Sequence, residues 1–224
     1  MADFAIAYTK FIAPIEGGYV NDPVDKGGET YAGIARNFNQ SWKGWEAIDY
    51  TKRVKGPIKR NTKFPELDYL VTAFYKTLWD KNFFGSINNQ DVANILYDWF
   101  INSGSNAFYT KSDKTDGVQE ILNHLFNAKI SADGAMGMQT VNAINSVDPI
   151  KLQTELKRQR LIFYDTIIAN NPSQAKFKEG WYNRLKAFPD LVSKNPVKTG
   201  LILVGALALL AGYIYVKQQG MITT

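Results

Sequence analysis

Alternation of apolar and polar residues, the mark of a half-buried strand, is almost absent from this chain. The one place for it is a glycine-rich stretch, where Tyr19-Val20 and the residues from Thr30 to Ile34 face each other across a turn. Elsewhere apolar residues recur at helical spacing, so the chain reads as mainly α with one small β-hairpin. Phe4, Tyr8, Phe11, Ile12 and Ile15 form a first helical stripe. Further helices are expected over 42–50, 64–80, 91–102, 116–129, 138–145 and 149–169. A last one follows the Asn171-Pro172 break and runs to about residue 192, interrupted near Phe188-Pro189.

Composition removes most catalytic classes. The 224 residues include no cysteine and one histidine, which rules out a disulfide framework, a thiolate nucleophile and the usual zinc spacings. His124 lies in an ordinary amphipathic pattern and reads as structural. Asp22, Asp25 and Glu29 do not follow the spacing of a calcium loop, so no metal or other cofactor is expected. The net charge of +5 owes three of its charges to Lys194, Lys198 and Lys217, leaving a mildly basic body. The run from Lys52 to Arg60 reads as a solvated loop and helix face, with attraction to anionic wall polymers as the functional alternative and nucleic acid not expected.

Carboxylate chemistry remains. Glu16 ends the first apolar stripe, where burial raises a carboxyl pKa, and opens a loop that relaxes the backbone through Gly17, Gly18, Asn21, Pro23, Gly27, Gly28 and Gly33. Asp22 and Asp25 stand in the same span. One acid that protonates a leaving oxygen and a second carboxylate that handles water or a cation-like sugar is the layout of glycoside hydrolysis. Asp25 is favoured over Asp22 for the second role. Tyr19, Tyr31, Trp42 and Trp99 are candidates to stack on sugar faces, and Asn102, at a helix end, to hydrogen-bond an N-acetyl group.

The string Glu16-Gly17-Gly18-Tyr19-Val20-Asn21-Asp22-Pro23, with Asp25, Gly27-Gly28, Thr30 and Gly33-Ile34, resembles the N-terminal signature of glycoside hydrolase family 108, muramidases of phages and bacteria. Tyr75 to Asp80, Tyr97 to Gly104, Asp133 to Thr140 and Gly180 to Leu185 are similar to later blocks of that family. The resemblance implies a lysozyme-like helical fold, with Glu16 as proton donor at the linkage between N-acetylmuramic acid and N-acetylglucosamine. The order Glu16, Asp25, Thr30 is similar to that of the phage-type lysozymes of family 24, which adds Thr30 to the catalytic candidates, although the gap from Asp to Thr is shorter here. Asp133 to Thr140 is also similar to the turn of peptidoglycan-binding helical modules. Residues 1–110 then read as the catalytic region and 111–192 as a peptidoglycan-binding-like lobe of the same domain. A lytic transglycosylase, or a non-catalytic wall-binding or virion structural protein, stays open beside the hydrolase.

After a linker over 193–198, residues 199–217 are uncharged up to Lys217 and apolar on every face. Eighteen residues at about 1.5 Å each give roughly 27 Å, near the thickness of a bilayer core, so a single transmembrane helix is expected, followed by a tail over 218–224. Tyr213 and Tyr215 suit the interface, and Ala208 with Gly212 offers a small face for helix pairing. No signal peptide is expected at the N-terminus. The expected location is a bacterial inner membrane or the membrane of a lipid-containing virion. Lys194 and Lys198 before the run would hold the body on the cytoplasmic side.

Overall fold

The computed structural model describes residues 1–14, 17–22, 27–112 and 114–191. Glu16, Asp25 and the apolar run 199–217 lie outside the described residues. In chain order the elements are α1 (Phe4–Ala7), β1 (Thr30–Tyr31), β2 (Ile34–Ala35), α2 (Gly44–Lys55), α3 (Asp68–Lys81) and α4 (Gln90–Ser103). There follow α5 (Val118–Phe126), α6 (Met138–Ser146), α7 (Pro149–Asn170) and α8 (Lys178–Lys186). The mainly helical architecture with one small hairpin fits a lysozyme-like domain, and residues 1–189 form one compact unit. Among the described residues no helix is long and apolar enough to cross a membrane.

α4 is the axis. Every residue from Val92 to Trp99 is buried, so this helix is covered on all sides rather than along one stripe. Asn89 starts it by accepting from the backbone N–H groups of Asp91 and Val92, and Gly104 ends it at φ 60°, where a side chain would be strained. Tyr97 fills one side of the core between Phe4, Trp79 and Phe84. α7 starts on an Asp148 cap with Pro149 in the first turn, and α5 is opened by Glu120, which accepts from the Gly117 N–H at 2.7 Å. α5 stops at Asn127, in a left-handed conformation, short of the 129 expected from the apolar pattern.

The largest departure from the expected helices is at the N-terminus. Asp3 caps α1, but after one turn the chain widens into a π-helix over Tyr8–Ile12, in which the Ala13 N–H donates to the Tyr8 carbonyl at 2.9 Å. Widening lets the aromatic stripe meet two partners. Phe4 and Tyr8 stack on each other and face Trp79 and Tyr75. Phe11 stacks on Phe188 with ring centres 4.4 Å apart. Gln90 then clamps the start of the chain to α4, accepting from the Asp3 N–H at 2.6 Å and donating to its carbonyl at 3.1 Å.

One buried ionic group ties α4 to the C-terminal helices. The Asp98 carboxylate is fully enclosed and meets Arg160 of α7 at 2.6 Å and Arg184 of α8 at 2.7 Å. Arg160, also fully buried, donates through Nε to the Tyr164 hydroxyl at 2.7 Å and lies over the Phe188 ring. A carboxylate can occupy such a position only because the paired guanidiniums replace its hydration.

Candidate active site

The described residues nearest the acids in sequence are held from both sides by backbone pairing. Val20 and Thr30 exchange two hydrogen bonds of 2.8 Å, and Thr30 continues into the antiparallel β1–β2 hairpin, paired Thr30 to Ala35 and Tyr31 to Ile34. Its two-residue turn places Ala32 at φ 45° and Gly33 at φ 74°, the primed geometry that matches the twist of paired strands. On the other side, the Tyr19 N–H donates to the Thr62 carbonyl and the Asn61 N–H to the Tyr19 carbonyl. Gly18 permits this approach. A Cβ there would lie 2.5 Å from the Asn61 carbonyl oxygen, whereas one on Gly17 would meet nothing within 4 Å.

Behind the loop is an ionic network that sequence reading missed. Glu29, nearly buried, accepts from the Tyr19 hydroxyl at 2.6 Å, Arg36 Nη1 at 2.5 Å and Lys52 Nζ at 2.7 Å. Asp49 of α2 accepts from the same Arg36 at 2.8 and 2.5 Å and pairs with Lys52 at 2.9 Å, while the Arg36 guanidinium lies 5.0 Å from the Trp45 ring centre. Two carboxylates and two cations thus join the hairpin, α2 and the segment that follows Glu16. Burial works against the charge on Glu29, but hydrogen bonds from Lys52, Tyr19 and Arg36 outweigh it and hold the carboxyl below its ordinary range. The Arg36 hydrogen bonds hold Asp49 far lower still. Burial, with the Glu29 carboxylate beside it, pushes Tyr19 up to about 12, so its hydroxyl is a donor at neutral pH.

Several residues proposed to touch sugar are placed elsewhere. Trp99 is fully buried in α4 beside Phe163, so no sugar reaches its face in this conformation. Tyr31 is 3% exposed, stacks on Trp42, and both gives a hydrogen bond to the Phe64 carbonyl and receives one from the Phe64 N–H. Tyr19 is equally buried and serves the Glu29 network. Trp42, half-buried, packs on Tyr31 and Trp45. Asn102 turns its amide back along α4 to the Asp98 carbonyl at 2.7 Å. Thr30 is half-buried and donates to the Gly28 carbonyl at 3.1 Å, and Asp22 is half-buried directly after the paired Tyr19-Val20 segment. Thr30, Asp22, Tyr19 and Tyr31 are therefore gathered around one hairpin, with Trp99 and Asn102 on a different element. Phe38, 74% exposed just after β2, is an aromatic surface near the hairpin that the sequence patterns did not single out.

The turn at 133–140 is organised by Gln119. Its amide nitrogen donates to Asp133, the Ala135 carbonyl and Thr140, and its oxygen accepts from the Gly134 N–H. His124, exposed on α5, is paired with Asp116 at 2.9 Å, which raises its pKa. Among the described residues no group of three His, Asp or Glu side chains is placed to hold a metal ion.

The described residues give a small hairpin, a helical core around α4 and a further group of helices. Residues 9–104 match the family model of Glycosyl hydrolase 108, and residues 116–186 match that of a Predicted Peptidoglycan domain. The chain is thus similar to a glycosyl hydrolase model over one segment and to a peptidoglycan model over the next, which supports a glycoside hydrolase acting on peptidoglycan. The first match ends at the close of α4, and the second covers α5 to α8. A search of curated proteins gave no match. A solved structure titled "Structure of Brucella abortus SagA" is similar in fold, with a TM-score of 0.52 and 22% identity over 82% of this chain and 89% of that one.

The network sets a pH dependence. Carboxyls whose folded pKa is depressed contribute stability above their unfolded values and lose it as pH falls through the folded ones. The melting temperature of the wild type should therefore hold from neutrality to about pH 5 and fall below about pH 4. Glu29→Gln should cost about 1–3 kcal/mol at pH 7 by leaving charged donors under-satisfied, and should flatten the acid slope. Equal acid slopes for variant and wild type in thermal melts would remove Glu29 from this role.

Proposed function

We propose that this protein hydrolyses the glycan strand of peptidoglycan between N-acetylmuramic acid and N-acetylglucosamine, with Glu16 as general acid. Asp25 is the second carboxylate, activating water or stabilising the oxocarbenium character of the transition state, and Thr30 and Asp22 complete the site. The observation that carries this reading is the backbone pairing of the residues that follow Glu16 in sequence. Gly18-Tyr19-Val20, next to Glu16, is paired to 61–62 on one side and to Thr30 on the other, within the glycosyl hydrolase 108 segment. A general acid is effective only when fixed relative to the scissile bond, and the four hydrogen bonds held by Tyr19 and Val20, shortly after Glu16 in sequence, support this reading. The second segment supports wall polymer as the partner. No cofactor is needed. The family resemblance favours a phage or prophage origin, with host wall lysis or entry as the biological task.

Glu16→Gln keeps volume and removes acidity, so clearing of purified walls should fall by about two to four orders of magnitude with the circular dichroism spectrum unchanged. Asp25→Asn should reduce turnover strongly and Asp22→Asn mildly. Near wild-type clearing by Glu16→Gln would remove the acid assignment, and the reverse ranking of the two aspartates would move the second role to Asp22.

Residues 199–217 are proposed to form a transmembrane anchor to a bacterial inner membrane or a virion membrane, on the strength of their length and lack of charge, with Ala208 and Gly212 available for helix pairing. The full chain should then stay with membranes through both high-salt and alkaline washes. Release by either wash would show peripheral attachment instead.

A further inference from the structure

The run that the sequence presents as an ordinary solvated face leads into a turn, at 61–62, that is hydrogen-bonded to Tyr19 and close to Gly18. Between Tyr50 and Glu66 the chain has no acid and six cations. Lys52 is committed to Glu29 and Asp49. Arg53, Lys55, Lys59, Arg60 and Lys63 are exposed, with no ion pair to any described residue. The segment is not a loose tether. Gly56 turns the chain at the end of α2 with φ 82°, the Thr62 N–H and hydroxyl both donate to the Lys59 carbonyl, and Asn61 adopts φ 64° in the tight turn between them. That turn is the one hydrogen-bonded to Tyr19 and in contact with Gly18. Lys59 and Arg60 are thus borne by a turn bonded directly to Tyr19, three residues after Glu16 in sequence, with Arg53, Lys55 and Lys63 flanking that turn along the chain.

We infer that Arg53, Lys55, Lys59, Arg60 and Lys63 form a docking strip for the carboxylates of the peptide stems borne by the glycan. This rests on the proposed function. A strand passing the Glu16 loop carries stems on its muramic acid residues, so a strip continuous with that loop meets their carboxylates, whereas a distant basic patch would not. Clustered, exposed like charges raise local ligand concentration and on-rate rather than forming single strong contacts. The strip therefore selects peptide-bearing strands over bare glycan.

Binding is measured by co-sedimentation of the full chain in the Glu16→Gln background at low temperature, so that retention is read apart from turnover. The variant K55Q/K59Q/R60Q/K63Q is compared with K81Q/K114Q/K151Q/K186Q, which changes the net charge equally at exposed lysines of other elements. On peptide-bearing sacculi at low salt the strip variant should bind about tenfold more weakly and the control within twofold. The difference should vanish near 1 M salt, where the Debye length is about 3 Å, and should be absent on glycan strands stripped of peptide by an amidase. Equal weakening by both variants would reduce the effect to net charge. A difference that persists on stripped glycan, that disappears when teichoic acid is extracted with the peptides left in place, or that appears instead on anionic phospholipid vesicles would each overturn the assignment to stem carboxylates. Thermal melts of both variants confirm that fold is not at issue, since every replaced side chain is exposed.

Discussion

Asp98 lies inside the protein with both oxygens turned to arginines from two other helices, and much of the architecture depends on that enclosure. A carboxylate in such a place is tolerated only while its partners stay, and loss of one partner from a buried ionic group of this kind costs about 3–5 kcal/mol. The group therefore fixes α4 against α7 and α8. It also joins the segment matched by the glycosyl hydrolase model to the one matched by the peptidoglycan model within a single compact unit. From α4 the constraint passes to the N-terminal helix. Gln90 grips Asp3, Tyr97 receives Phe4, and the π turn lets Phe11 reach Phe188 beside Arg160. The chain that enters the Glu16 loop is aimed by the same core that the buried charge locks.

At the loop itself the forces change from packing to backbone pairing and surface electrostatics. The Glu29 network neutralises itself, two carboxylates against two cations, and leaves its stabilising effect in position rather than in net charge. The neighbouring strip does the opposite, keeping its cations exposed and without an ion pair to any described residue. A site for an anionic, extended polymer needs both: a frame that does not yield when the strand binds, and a field that draws the strand toward it.

Much of this was legible in the residues, and the reasons for the rest are physical. Helices α3, α4, α6 and α7 follow from apolar periodicity, with Asn89 and Asp148 capping α4 and α7, because both signals are local. The hairpin followed from glycine placement across one short span. The π turn was not legible, since Phe4, Tyr8, Phe11 and Ile12 satisfy an α-helical period equally well until their partners are known. Trp99 reads as a candidate sugar platform on its aromatic ring alone. Burial of eight successive residues in α4 is a tertiary fact that no window of sequence contains. Tyr19 and Tyr31 lie at the hairpin, and their hydroxyls serve Glu29 and the Phe64 backbone. The Glu29, Arg36, Asp49 and Lys52 network escaped notice because its members lie up to 23 residues apart, and only folding shows which charges meet.

The central claim is hydrolysis at the muramic acid linkage, and the chemistry of the new chain end tests it most directly. Purified peptidoglycan digested by the full chain in water enriched in heavy oxygen, then analysed by mass spectrometry, should give fragments ending in reducing N-acetylmuramic acid that carry one heavy oxygen per cleavage. Fragments ending in 1,6-anhydro-muramic acid without label would make the protein a lytic transglycosylase. Intact strands that nonetheless retain the protein would make it a wall-binding module built on a hydrolase fold.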